Sequence, residues 1–226
     1  MKVLSKVFFY TFITTSLFAF YNTPTNPDLE NHLFKIRDPK TPRVEFRRHI
    51  KKIGEHLAIA IANDLPKQQE TIETVLQTSA THSLVKEPVV VITVLRAGLP
   101  MFEGFMQILS DAEGGFLIYQ RDHETLRPVF HTQLLPSLEG KYVVLIDPMI
   151  ATAGTVLDSL KLIHSKKPKK VFVAGVIAAK EGLEKIHQAY PETHLYSAAV
   201  DPILNDKGYI VPGLGDAGDR SYGQKA

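Results

Sequence analysis

The sequence contains no cysteine, which excludes disulfide bonds, zinc–thiolate sites and a cysteine nucleophile. Its formal net charge is only +2, so the composition does not favour binding to nucleic acid. Nine histidines are present, but none begins the His-Glu-x-x-His pattern of a zinc protease. With 226 residues, 44% of them hydrophobic, the chain is long enough for one compact domain with a full core.

Charged residues are missing from positions 7–27, and the segment from Val7 to Phe20 is strongly apolar. Two lysines precede it, as in a secretory signal peptide, but no convincing small-x-small cleavage site follows. A start codon assigned too early, or a strand of the fold, are further alternatives. We interpret residues 1–22 as a hydrophobic N-terminal extension of a cytoplasmic protein that is not bound to a membrane, and we expect the main domain to span residues 23–226.

Apolar strands alternate with helical segments along most of the chain. The hydrophobic spacing predicts strands at 88–94, 115–119, 142–146, 171–177 and 195–200, and helices at 43–62, 67–79, 99–109, 156–163 and 181–189. This alternation indicates an α/β fold with a mostly parallel sheet flanked by helices. The polar segment 120–136, which contains two prolines, is either a β-hairpin or a solvent-exposed loop.

Residues 147–155 read Asp-Pro-Met-Ile-Ala-Thr-Ala-Gly-Thr and lie between a predicted strand and a predicted helix. Backbone N–H groups at a helix start bind phosphates, and small side chains allow a close approach. Thr152 and Thr155 can donate to phosphate oxygens, while Asp147 can accept from sugar hydroxyls. This loop has neither a Walker A pattern nor the dinucleotide fingerprint. It therefore favours a site for a ribose 5′-phosphate over an ordinary strand-to-helix turn.

This loop resembles the phosphoribosyl-pyrophosphate (PRPP) loop of uracil phosphoribosyltransferases, usually Asp-Pro-Met-Leu-Ala-Thr-Gly-Gly-Ser/Thr. Residues 95–99, Leu-Arg-Ala-Gly-Leu, resemble the family's pyrophosphate loop. Residues 208–219, Gly-Tyr-Ile-Val-Pro-Gly-Leu-Gly-Asp-Ala-Gly-Asp, resemble its uracil-binding stretch. The three segments occur in the family's order, and the likeness runs from about Thr23 to Gly223.

Two residues depart from the family's pattern. Ala153 stands where the family usually has glycine, and alanine is strained there if the backbone needs a positive φ. Pro100 stands where the family often has glycine, and we interpret it as a helix start because proline suits the first helical turn.

The resemblance implies a type I phosphoribosyltransferase-like fold with a β-hairpin flap, and the conversion of uracil and PRPP into UMP and diphosphate in pyrimidine salvage. It also implies binding residues. PRPP would be bound by Arg96, Arg121, Asp147, Ala151, Thr152, Ala153, Gly154, Thr155 and Asp216, and uracil by Ile210, Gly215, Asp216 and Ala217. Mg²⁺ would be held mostly by the diphosphate and water, with Asp216 as the protein's carboxylate.

Three charged residues support one shared site without reference to the family. Arg96, Asp147 and Asp201 each lie at the end of a predicted strand. In open parallel sheets, ligands bind at the carboxyl ends of the strands. No side chain is expected to form a covalent intermediate, since phosphoribosyl transfer needs positioning and charge stabilisation.

The resemblance further implies a homodimer or higher homo-oligomer, a flap that reaches toward a partner subunit, and GTP as an effector. Alternative functions stay open. One is a nucleotide-sensing regulator on the same fold that binds RNA; the others are a transferase for another base and a homologue whose catalysis is impaired by Ala153.

Overall fold

The computed structural model describes residues 20–121 and 128–224; the side chains of residues 120, 121 and 128 lie outside this description. The helices are α1 (Pro27–Arg37), α2 (Arg43–Asp64), α3 (Leu99–Ile108), α4 (Gly154–His164), α5 (Lys180–Ala189) and α6 (Ala217–Tyr222). The strands are β1 (Tyr21–Asn22), β2 (Lys67–Glu73), β3 (Ser79–Val85), β4 (Val89–Leu95), β5 (Glu113–Arg121), β6 (Pro128–Leu134), β7 (Tyr142–Ile146), β8 (Met149–Ile150), β9 (Lys170–Ala179), β10 (His194–Asp201), β11 (Ile203–Leu204) and β12 (Ile210–Val211).

The main sheet has the strand order β1-β10-β9-β7-β4-β5-β6, and β8 adds to β9 beside β7. All of these strands run parallel except β6, which is antiparallel to β5. The central strands β7 and β9 are buried along nearly their whole length, as expected of parallel strands covered by helices on both faces. The predicted α/β fold with a mostly parallel sheet is confirmed.

Two long antiparallel hairpins extend this layout, besides the short antiparallel pair β11–β12. β5 and β6 form one of them, which confirms the predicted β-hairpin and excludes a plain solvent loop at these strands. The other is formed by β2 and β3, so the predicted helix at 67–79 is wrong. Every residue of β2 is exposed, and its lysine, glutamine and glutamate residues are good helix formers. A strand without a buried face gives no alternating pattern, and cross-strand pairing decides its structure instead.

Helices α2 and α3 pack closely because two glycines lie at their contact. A methyl group at Gly104 would come within 2.1 Å of the Lys51 carbonyl oxygen, and one at Gly54 within 2.6 Å of the Met101 carbonyl oxygen. Pro100 lies in the first turn of α3, which confirms it as a helix start. This packing fixes the position of the loop that joins β4 to α3.

The N-terminal end of the described chain joins the sheet. Tyr21 and Asn22 pair in parallel with Leu195 and Tyr196 of β10. Residues 1–19 lie outside the described part, so the interpretation of residues 1–22 as an extension stays a prediction. Across the described ranges, the helices are too short or too polar to cross a membrane.

Candidate active site

Three loops meet at the edge where the parallel strands end. Arg96 directly follows β4, Asp147 directly follows β7, and Asp201 ends β10. β4 and β7 are neighbours paired in parallel, so the groups that follow them lie side by side. The structure therefore places the three strand-end residues predicted from the sequence on one edge of the sheet.

The loop after β7 ends at a helix start that has no side-chain cap. Ala153 is the N-cap residue of α4 and has φ 68°, in the left-handed region. The first N–H groups of a helix lack intrahelical partners. Thr152 is exposed and Thr155 is half-buried next to these groups. Backbone N–H groups and hydroxyls thus face the same space, an arrangement suited to a phosphate.

Asp147 is enclosed at the base of this loop. Burial raises the pKa of its carboxyl to about 6; the N–H of Met149, 3.2 Å from Oδ1, acts in the opposite direction, and the charge of Asp216 adds to the rise. The carboxylate form still predominates at pH 7, so Asp147 can accept hydrogen bonds from sugar hydroxyls. The effect of Asp216 on the pKa of Asp147 also indicates that the two carboxyl groups are near each other.

Gly182 supports the same loop from α5, and the sequence reasoning missed it. A methyl group there would come within 2.2 Å of the Ala151 carbonyl oxygen. The helix can therefore lie directly against the loop backbone only with glycine at this position. A lone glycine in a helical segment was the available signal, because such a residue often has a packing reason.

Arg96 links the β4 loop to the C-terminal helix. Its Nη2 donates to the Asp219 carboxylate at 3.3 Å and to the Gly223 carbonyl oxygen at 2.5 Å. Among the described residues, its buried Nε–H has no hydrogen-bond partner. The guanidinium is thus held through Nη2, while its Nε–H is buried without a partner.

The segment 208–219, which resembles the uracil-binding stretch, contains β12 and the start of α6. Ile210 is buried at 8% exposure, Ala217 is also buried, and Gly215 is exposed with φ 80°. Asp216 caps α6 by accepting from the Asp219 N–H at 2.8 Å. A methyl group at Gly218 would lie 3.7 Å from the Ala97 side chain, so this segment contacts the β4 loop. The C-terminal end of this segment therefore lies beside Arg96, which contacts Asp219.

Asp201 holds this segment in place instead of facing a ligand. Arg37 at the end of α1 donates to both of its carboxylate oxygens, at 2.9 and 2.8 Å, and also to the Gly213 carbonyl oxygen at 2.9 Å. The Gly213 N–H donates to Asp201 at 2.8 Å. A buried, bidentate ion pair of this kind fixes the orientation of the turn at Gly213.

Arg220 makes the second anchor of the C-terminal segment. It donates to the carbonyl oxygens of Ile36 and Leu214, the latter at 2.9 Å, and to that of Asp38 at 2.6 Å. Its guanidinium also lies 4.2 Å from the centre of the Phe46 ring. Neither anchor was foreseen, because nothing in the spacing of Arg37 or Arg220 reveals partners so distant along the chain.

Comparison with known proteins shows which family this chain is similar to. The family model for uracil phosphoribosyltransferase matches residues 23–224. The uracil phosphoribosyltransferase of Bacillus licheniformis is 37% identical over 201 residues, which cover 88% of this chain and 96% of the relative. The chain belongs to the uracil phosphoribosyltransferase family. The family member from Dictyoglomus thermophilum is 36% identical over the same length, covering 88% of this chain and 97% of its own.

A solved structure shares the fold of this chain. A protein from Aquifex aeolicus superposes with a TM-score of 0.84 and is 35% identical, covering 90% of this chain and 98% of its own. The match to the uracil phosphoribosyltransferase family and the observed sheet together confirm the predicted fold class, a type I phosphoribosyltransferase-like sheet with a hairpin flap. The side chain of Arg121, predicted to bind PRPP from the flap, lies outside the described part of the chain.

The left-handed conformation of Ala153 leads to a first prediction. Ala153→Gly should relieve about 1–2 kcal/mol of backbone strain. Two effects oppose this gain: the loss of a buried methyl group costs about 0.8 kcal/mol, and the greater backbone entropy of glycine costs about 0.5–1 kcal/mol. We therefore expect the free energy of unfolding, measured in urea, to change by less than ~1 kcal/mol. The KM for PRPP should stay equal or fall, because the backbone can approach the ligand more closely.

Ala151→Gly is the matched control, since the φ of Ala151 is not in the left-handed region among the described residues. It should only add flexibility and should not lower the KM for PRPP. A weaker affinity for PRPP in Ala153→Gly would mean that alanine at this position is no defect in the loop.

Proposed function

We propose that this protein transfers the phosphoribosyl group of PRPP to uracil, giving UMP and diphosphate. The observation that supports this most is the meeting of three family loops at one sheet edge: the β4 loop, the β7–α4 loop and the segment around α6. Each loop supplies one of the functions that the reaction needs. The start of α4 receives the 5′-phosphate, Arg96 the diphosphate, and the backbone at 215–217 the base.

The reaction breaks the bond between C1 of the ribose and the diphosphate and joins C1 to a ring nitrogen of uracil. Negative charge grows on the departing diphosphate, so donors must already point to it. Arg96 is suited to this role because a guanidinium can bind phosphate oxygens through two parallel hydrogen bonds. Asp147 holds the ribose hydroxyls, which fixes C1 relative to the base.

Mg²⁺ is the cofactor that we propose with PRPP, and the residues present fit it. The carboxyl groups of Asp147 and Asp216 are near enough for one to affect the pKa of the other. Mg²⁺ is commonly held by one or two carboxylates together with substrate phosphates. When bound, the ion would neutralise part of the charge that develops on the diphosphate.

The test is UMP formation by the purified protein from uracil, PRPP and Mg²⁺. We expect UMP and diphosphate in equal amounts, and no product after EDTA is added in excess of the metal. Absence of UMP at millimolar substrates would contradict the proposal. Binding of RNA without UMP formation would point to the regulatory alternative, and turnover of another base in place of uracil would point to a different transferase.

We also propose a homo-oligomer, supported by the β2–β3 hairpin. Val75 and Leu76 at its turn are 98% and 81% exposed, and a two-stranded hairpin is only marginally stable alone. Contact with a second copy would cover this apolar turn.

Sedimentation of the purified protein should show a dimer or larger species. The double variant Val75→Ser with Leu76→Ser should shift the population toward monomer. The control Val44→Ser, on an exposed site of α2, should leave the mass unchanged; an unchanged mass in the hairpin variant would contradict the proposed interface.

Two finer expectations belong to the same proposal. A cytoplasmic location suits a chain without cysteine, which needs no oxidising compartment. GTP as an effector rests on the family resemblance, and the UMP assay with and without added GTP tests it.

A further inference from the structure

Three histidines and an aspartate meet on the first two helices, which do not contain the PRPP loop. Asp28 and His32 lie one turn apart on α1, and His49 and His56 lie two turns apart on α2. The packing of α1 against α2 brings the four side chains together. The family motifs of the sequence include none of these residues, and the proposed transfer reaction does not use them.

The donor atoms have the separations of a metal site. Nε2 of His56 lies 2.9 Å from Oδ2 of Asp28, and Nε2 of His32 lies 3.6 Å from the same oxygen. One ligand atom from each of Asp28, His32 and His56 lies within 4.8 Å of the other two. Ligands about 2.0–2.2 Å from a tetrahedral ion are themselves ~3.3 Å apart. The two distances to Asp28 lie on either side of that value. Side-chain rotations would complete the geometry together with a change of the His56 tautomer, because the Asn26 amide nitrogen now contacts Nδ1 of His56 at 3.3 Å.

His49 provides the second contact that metal-bound histidines usually have. Its Nδ1 lies 2.9 Å from Nδ1 of His32, so one of the two rings must donate a proton to the other. When His32 is the donor, Nε2 of its neutral ring carries a free lone pair on the side of Asp28. Metal-bound histidines commonly donate their other N–H to such an acceptor, which fixes the tautomer.

The charge states also suit a cation. Burial lowers the pKa of both His32 and His49, while the charge of Asp28 acts in the opposite direction at His32. The hydrogen bond from His56 lowers the pKa of the Asp28 carboxyl. A carboxylate and neutral imidazoles are the protonation states that bind metal. Asp28 is exposed while His32 and His56 are partly buried, which leaves room for a water ligand.

We propose that Asp28, His32 and His56 bind one divalent transition-metal ion, of the Zn²⁺ or Co²⁺ type, with His49 orienting His32. Mixed nitrogen and oxygen donors favour these ions over Mg²⁺, which takes oxygen ligands almost alone. The bound ion would join the N-terminal half of α1 to α2. It would therefore stabilise the folded state without taking part in phosphoribosyl transfer.

The experiment uses untagged, EDTA-treated and desalted protein, titrated with Co²⁺ by visible absorbance and with Zn²⁺ by calorimetry. We expect one equivalent to bind and Zn²⁺ to raise Tm. Loss of a residue that contacts a metal ligand, but not the metal, typically weakens binding by ~10- to 100-fold, and we expect His49→Ala to fall in that range. His32→Ala and His56→Gln each remove a ligand, so they should weaken binding by more than this.

Two controls separate this site from other metal sites. His82→Ala removes an exposed histidine of β3 and should bind the metal as the wild type does. Asp216→Asn should also retain binding, because the proposed Mg²⁺ site is distinct. The absence of saturable binding in the wild type, full binding in both His32→Ala and His56→Gln, or an equal loss in His82→Ala would each overturn the proposal.

Discussion

Uracil is expected to be used roughly 10⁴-fold better than cytosine, as measured by kcat/KM. Uracil offers an N3–H donor next to an O4 acceptor, and cytosine reverses both. The main chain at Gly215 to Ala217 cannot reverse its own polarity, and two of its groups would be left unpaired by cytosine. Each buried polar group without a partner costs about 1–3 kcal/mol.

Asp216→Asn tests whether the main chain reads the base. Asp216 caps α6, and asparagine caps a helix as well as aspartate does, so the segment should keep its shape. We expect the variant to lose more in its use of PRPP or Mg²⁺ than in its choice of base. Comparable use of cytosine by the wild type would refute readout by the backbone, and a large loss of selectivity in the variant would assign it to the Asp216 side chain.

Arg96→Ala should lose at least ~100-fold in kcat/KM, comparable to the removal of one donor to a developing oxyanion. The loss should appear in kcat as well as in the KM for PRPP, because the diphosphate carries more negative charge in the transition state than in bound PRPP. A variant with near-normal turnover would exclude Arg96 as a ligand of the diphosphate.

The contacts of Arg96 with α6 make a structural control necessary. Asp219→Ala removes the carboxylate that Arg96 contacts at 3.3 Å but leaves the guanidinium in place. If Arg96 acts on the diphosphate, Asp219→Ala should retain most of the activity. An equal loss in both variants, with a lowered Tm, would show that Arg96 mainly holds the C-terminal segment.

The parts of the fold that could be predicted are those whose burial produces a clear hydrophobic pattern in the sequence. The strand at 142–146 is apolar at every position because helices cover both of its faces. The segment 67–79 has no such pattern, since both faces of β2 are exposed, and its helix-forming residues led to a wrong prediction. Cross-strand pairing with β3 is a tertiary interaction that local propensity does not encode.

The residues of the candidate site also fall into those that the sequence could predict and those that it could not. Arg96 and Asp147 could be placed because each follows directly on a buried strand, and parallel strands end at one edge. The helix predicted at 156–163 begins two residues earlier, at Gly154, and the strain considered for Ala153 applies because its φ is positive. The anchoring roles of Arg37 and Arg220 could not, because their partners are brought close only by the completed fold.

The two anchors also determine the order in which the site can form during synthesis. Arg220 binds carbonyl oxygens 184 and 182 positions earlier in the chain, and Arg37 binds a carboxylate 164 positions later. A nascent chain that has emerged through β9 can pair β4, β7 and β9 and form the PRPP loop, but it has no means of shaping the turn at Gly213. The base-binding half of the site therefore takes shape last, after the segment from Gly213 to Arg220 has joined the fold.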